Sequence, residues 1–117
     1  MKSISVNILD SKSLGIESET FETDKFGNKF WHSDGKLHRD NNLPAIEYSD
    51  GHKEWWVNGK LHRDNNLPAV EWADGTKKWY VNGVKHRDNG LPAIEFVNGR
   101  KEWWVNGKFQ RRNYEIY

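Results

Sequence analysis

Residues 55–78 read Trp55-Trp56-Val57-Asn58-Gly59-Lys60-Leu61-His62-Arg63-Asp64-Asn65-Asn66-Leu67-Pro68-Ala69-Val70-Glu71-Trp72-Ala73-Asp74-Gly75-Thr76-Lys77-Lys78. The pattern begins again at Trp79 and at Trp103, and an earlier copy begins at Trp31, so the aromatic recurs every 24 residues. Gly35, Gly59, Gly83 and Gly107 keep the same spacing, as do Leu43-Pro44-Ala45, Leu67-Pro68-Ala69 and Leu91-Pro92-Ala93. A fixed period of this length marks a repeat architecture, in which each unit buries its apolar face against its neighbours.

The local chemistry of a unit is β. Ala45-Ile46-Glu47-Tyr48 and Glu54-Trp55-Trp56-Val57 are rich in β-branched and aromatic residues. Asp50-Gly51 between them predicts a two-residue type I′ hairpin turn, and Asp74-Gly75 and Asn98-Gly99 repeat it. Asn58-Gly59, Asn82-Gly83 and Asn106-Gly107 predict a second turn. His62 to Pro68 is then a connection, with a short strand at its start. Asn42 and Asn66 stand where Gly90 stands in the next copy, which predicts positive φ at all three. Pro44, Pro68 and Pro92 suit the first residue of a strand.

Outward from the repeats lie atypical ends. Ile4, Val6 and Ile8 alternate with polar residues and predict one strand; Ile16 to Thr23 predicts a second. Residues 1–25 form an N-terminal cap, residues 26–109 the repeats, and residues 110–117 a C-terminal cap with a closing strand at Tyr114 to Tyr117. The expected fold is a single all-β domain, an antiparallel meander of tandem 24-residue hairpins.

A two-residue turn at Asp50-Gly51 fixes a register, with Ile46 opposite Trp55 and Ala45 opposite Trp56. One face then carries Ile46, Tyr48, Trp55 and Val57 as the core. The other carries Ala45, Glu47, Glu54 and Trp56. Trp56, Tyr80 and Trp104 make a second aromatic row on this more polar face; either it is the first candidate for partner binding, or the connections fold back and bury it as a second small core with Leu61 and Phe109. Glu47 opposes Glu54 in this register, so a cation from a neighbouring unit is expected between them.

Composition limits the rest. With 30% charged residues the core must be thin, and seven Trp, four Tyr and five Phe supply most of its area. There is no cysteine, which excludes disulfides and thiolate metal sites and fits a cytoplasmic setting, the host cytoplasm if the protein is viral. The formal net charge of +1 does not point to a general grip on nucleic acid. No leader peptide and no apolar stretch of membrane-spanning length is visible.

His38-Arg39-Asp40, His62-Arg63-Asp64 and His86-Arg87-Asp88 are the conspicuous polar triplets. A kinase reading fails for want of a Gly-rich loop, a metal-binding Asp-Phe-Gly and sufficient length. A shared metal fails because equivalent histidines lie about 10–14 Å apart at two or three strands per unit. Two readings remain. In one, Arg pairs with a carboxylate, Asp caps the turn and His covers Trp, locking the loop. In the other, His38, His62, His86, Arg39, Arg63 and Arg87 form an edge that meets an acidic partner.

The units from Trp55 to Ala69 and from Trp79 to Ala93 resemble variant MORN repeats, short hairpins with an aromatic-x-x-Asn-Gly core. They are also similar to aromatic-Asn-Gly, His-Arg, Pro-Ala repeats of bacteriophages and large DNA viruses. The resemblance covers about residues 26–109 and implies an elongated scaffold for protein–protein contact, without catalysis or cofactor. It matches Gly51, Trp55, Asn58 and Gly59 to structural positions of the hairpin. A small phage protein that blocks a host or defence protein is the concrete version. Single-stranded nucleic-acid binding through aromatic and Arg/Lys rows is the rival expectation. Strand addition at an open end, through Ile4 to Ile8 or Tyr114 to Tyr117, would give a homodimer.

Overall fold

The computed structural model describes residues 3–7 and 19–113. They form fifteen short strands. Before the first full unit come β1 (Ser3–Asn7), β2 (Glu19–Asp24), β3 (Lys29–Ser33) and β4 (Lys36–Leu37). One unit gives β5 (Ile46–Glu47), β6 (Lys53–Glu54), β7 (Trp56–Val57) and β8 (Lys60–Leu61). The next gives β9 (Val70–Glu71), β10 (Lys77–Lys78), β11 (Tyr80–Val81) and β12 (Val84–Lys85). The last gives β13 (Ile94–Glu95), β14 (Lys101–Val105) and β15 (Lys108–Arg112).

The main sheet is an open antiparallel meander in the order β1-β2-β3-β5-β6-β9-β10-β13-β14-β15, with β4 paired to β3. β7/β8 and β11/β12 are separate two-stranded hairpins beside it. The molecule is elongated, 60 × 30 × 19 Å. Among the described residues no helix is long and apolar enough to cross a membrane.

Trp55 is where the chain leaves the main sheet. Its N–H bonds to the carbonyl of Ala69 in the next unit, at 2.7 Å. Its carbonyl accepts the N–H of His62 in its own side hairpin, at 3.0 Å. Trp31 and Trp79 do the same with Ala45 and His38, and with Ala93 and His86. No Leu-Pro-Ala follows Trp103, so β14 instead runs on against β15 with a bulge at Trp103/Trp104. Among the described residues the outer strands of the sheet are β1 and β15; Ile8, Ile16 and Tyr114 to Tyr117 lie outside them.

Two turn types alternate, and only one is as expected. Asn58 (φ 51°) and Gly59 (φ 80°) make a two-residue turn with Val57 opposite Lys60, the positive-φ pair that a type I′ turn requires. At Asp50-Gly51 the type I′ expectation is wrong. Tyr48 pairs with His52, at 2.8 Å from N–H to carbonyl, so the loop has three residues. Asp50 has ordinary φ and Gly51 alone is left-handed (φ 96°), the type I turn plus glycine bulge.

That extra residue shifts the register by one and moves residues between faces. Ile46 opposes Glu54, and Glu47 opposes Lys53. The expected opposition of Glu47 and Glu54 is therefore replaced by a line of alternating charge. It runs Lys29, Glu47, Lys53, Glu71, Lys77, Glu95, Lys101 through successive pairings. The other face carries Phe30, Ile46, Glu54, Val70, Lys78, Ile94 and Glu102 through the same pairings.

The core consequently differs from the expected one. Ala45, Ala69 and Ala93 are fully buried rather than on an open polar face, and Trp31, Trp55, Trp79, Ile46, Val70 and Ile94 are buried with them. Tyr48, Val57 and Trp103 are only half-buried, and Val105 is exposed. The core is thus one Trp, one Pro, one Ala and one β-branched residue per unit. Each Trp also anchors the preceding loop: the indoles of Trp55, Trp79 and Trp103 donate to the carbonyls of Asn42, Asn66 and Gly90.

Candidate functional site

The His-Arg-Asp-Asn loops stand in a row along one edge. Each loop owes its shape to consecutive left-handed residues: Asn41 and Asn42, Asn65 and Asn66, Asn89 and Gly90 all have φ between 58° and 68°. Asn tolerates this region better than other side chains, and Gly enters it freely, which explains the Asn/Gly interchange.

The arginines of the row face inward. The guanidinium carbons of Arg39, Arg63 and Arg87 lie 3.7, 3.8 and 3.8 Å from the ring centroids of Trp31, Trp55 and Trp79. Their Nη1 atoms donate to the carbonyls of Pro44, Pro68 and Pro92. The same atoms reach Glu47, Glu71 and Glu95 at 3.0, 3.2 and 3.0 Å. The Nε of Arg63 and of Arg87 reaches back a unit to the side-chain oxygens of Asn42 and Asn66. Arg111 keeps the stacking on Trp103, at 3.6 Å. Burial lowers the pKa of Arg63, and the Glu71 carboxylate opposes that shift.

The histidines join units. Nδ1 of His38, His62 and His86 accepts the N–H of Asn58, Asn82 and Asn106 in the following Asn-Gly turn, at 3.1, 3.0 and 2.9 Å. An accepting Nδ1 carries no proton, so the ring hydrogen sits on Nε2 and is donated to Asp40, Asp64 or Asp88 at 2.7 Å. Arg therefore covers the Trp, where His was expected to, and each Asp side chain accepts from its His instead of capping the turn.

Charge accessibility on this edge follows. The Arg side chains are 12–20% exposed, whereas those of Asp40, Asp64 and Asp88 are 65%, 79% and 77% exposed. At these three loops the charge offered outward is carboxylate, set beside the exposed amides of Asn41, Asn65 and Asn89, while Arg111 at the end of the row is exposed.

Between successive loops the surface is concave. His38, Arg39, Asp40, Asn41, Trp55, Val57, His62 and Asp64 are among the residues lining a concavity of about 270 Å³. The equivalents one unit on, His62 to Asn65 with Trp79 and Val81, line another of about 250 Å³. A third, of about 480 Å³, lies between His86–Leu91 and Gln110-Arg111, with Trp103 and Val105. Trp56 and Tyr80 line the first two.

The expected aromatic row is thus split. The Trp56 indole donates to Glu54 and that of Trp104 to Glu102, both at 2.9 Å. Trp104 lines none of these concavities; it meets Phe109 edge-on at 5.4 Å, with the Lys85 ammonium 4.1 Å from its centroid. Tyr80 is half-buried, and its pKa is raised by burial and by the charge of Glu54. Sequence reasoning missed the outward Asp and Asn pair, although both recur at the period of the repeat.

Comparisons with protein families, with curated proteins and with solved structures find no match.

Proposed function

We propose that this chain is a non-enzymatic protein-binding repeat module whose partner lies along the His-Arg-Asp-Asn edge. The observation that carries this reading is the near-identical concavity formed twice side by side, with a variant of it in third place. A reaction centre is needed once and is asymmetric; a surface that repeats its geometry suits an extended partner with repeated features. The inward arginines weigh against a nucleic-acid partner, because guanidiniums stacked on Trp and paired with Glu are not free for phosphates. A phage or viral protein that blocks a host protein is the concrete form suggested by the sequence resemblance.

Affinity capture from a host lysate, with and without nuclease, tests the reading. The wild type is compared with the triple variant Asp40→Asn, Asp64→Asn, Asp88→Asn, in which Asn keeps an acceptor for each His. A nuclease-resistant protein lost in the variant is the expected result. Capture that vanishes with nuclease, or that the variant leaves intact, overturns it.

A further inference from the structure

Three features of the edge bear on what kind of chain segment fits it. The first is spacing. Each inner unit adds two strands to the main sheet, β5/β6 and then β9/β10. Strands lie about 4.8 Å apart, so equivalent points on successive units are about 9.6 Å apart. The second is charge. Asp40, Asp64 and Asp88 project one carboxylate per unit, with one oxygen of each held by a His at 2.7 Å. The third is wall chemistry. Between the carboxylates lie the Trp55/Val57 and Trp79/Val81 concavities, whose surfaces are mixed apolar and polar; Arg39, Arg63 and Arg87 also line them, each stacked on a Trp and neutralised by a Glu.

We infer that the edge is a docking groove for a basic polyproline II segment running along the long axis, with Lys or Arg at every third position. This rests on the protein-binding reading above and names the chemistry of the partner. A polyproline II helix completes one turn in three residues, about 9.3 Å. Its equivalent side chains therefore drift by only about 0.3 Å per unit against the groove. An extended β-strand repeats a face every about 6.7 Å and loses register by about 3 Å at the first step. Each basic side chain meets one Asp, and the two residues between, prolines for preference, fill the concavity before the next. Pro-rich segments have no donors to strand and bind aromatic-lined grooves with little entropy to lose.

The test needs only synthetic peptides of equal charge, labelled and followed by fluorescence anisotropy at low salt. The central peptide has three Lys-Pro-Pro triplets; the controls place the same three lysines at every second or every fourth residue. We expect the triplet peptide to bind at least fivefold more tightly than either control. Affinity should rise from one triplet to three, and fall about tenfold in Asp40→Asn, Asp64→Asn, Asp88→Asn. Replacing Lys by Glu in the triplets should abolish binding. Equal affinity for all lysine spacings would mean that charge alone is read, and would overturn the inference. So would triplet binding that the Asn variant does not weaken, or no binding by the triplet peptide. If the peptides fail while a lysate protein is still captured through the same carboxylates, the partner chemistry named here is wrong and the protein-binding reading stands.

Discussion

Arg63 and Trp55 hold the same residue of the preceding loop. The Trp55 indole donates to the Asn42 carbonyl at 3.0 Å, and Arg63 Nε donates to the Asn42 side-chain oxygen at 2.8 Å. The guanidinium carbon lies 3.8 Å from the Trp55 ring centroid. Arg63 also ties down Pro68 and, at the start of the next unit, Glu71. One side chain thus joins the loop before it, the Trp beneath it and the strand after it.

Arg63→Ala should therefore cost about 2–4 kcal/mol, from one cation–π contact and several charge-assisted hydrogen bonds. Arg63→Lys should recover less than half, because an ammonium has no planar fork to serve Asn42, Pro68 and Glu71 together. Urea denaturation of the two variants checks this. A lysine variant as stable as wild type would show that charge alone matters there.

Gly90 occupies the position of Asn42 and Asn66, with φ 68° and nothing within 4 Å of where a Cβ would stand. Asn tolerates that φ, narrows the unfolded ensemble and brings an oxygen to the place from which Asn42 and Asn66 serve Arg63 and Arg87. Arg111 is the corresponding arginine. Gly90→Asn should stabilise the protein by about 0.5–1 kcal/mol. The denaturation midpoint should rise with an unchanged slope; a lower midpoint would mean that the loop before the last unit has a different geometry from the others.

Tyr48 and Tyr80 have pKa values raised above the ordinary 10.0, mainly by burial and then by nearby carboxylates, Glu54 in both cases. The folded chain holds these phenolic protons more tightly than the unfolded chain. Their contribution to stability is intact below about pH 10 and is lost as pH rises through the folded values. Lys78 works in the opposite sense, since burial lowers its pKa below 10.5 and stability rises with pH in the window beneath that value. Ultraviolet titration should show a late phenolic component that disappears in Tyr48→Phe, Tyr80→Phe. The same double variant should lose stability less steeply above about pH 10. A titration that keeps its late component in the variant would contradict this assignment.

Much of the scaffold was legible in the repeat. Asn58-Gly59 has one good conformation in a hairpin, and positive φ at Asn42, Asn66 and Gly90 followed from their interchange. The register was not legible. Asp50-Gly51 closes a two-residue turn or a three-residue loop with equal local chemistry, and the choice moves Trp55 from the Ile46 face to the Ala45 face. The loop lock was legible as a possibility; the assignment of Arg rather than His to the Trp ring was not, because both side chains reach it from the same segment.

The sequence by itself determined that the protein is a β repeat with a period of 24, which residues turn the chain, and that its core is aromatic and thin. Those properties belong to local backbone preference and to composition, and each is written in a few neighbouring residues. Only the tertiary structure decided which face is buried, that the arginines point inward, and that the carboxylates of Asp40, Asp64 and Asp88 are what the edge presents. Those properties depend on how one unit lies on the next. The bonds from Trp55 to Asn42 and Ala69, and from Asn82 to His62, join residues of different units and leave no local mark in either.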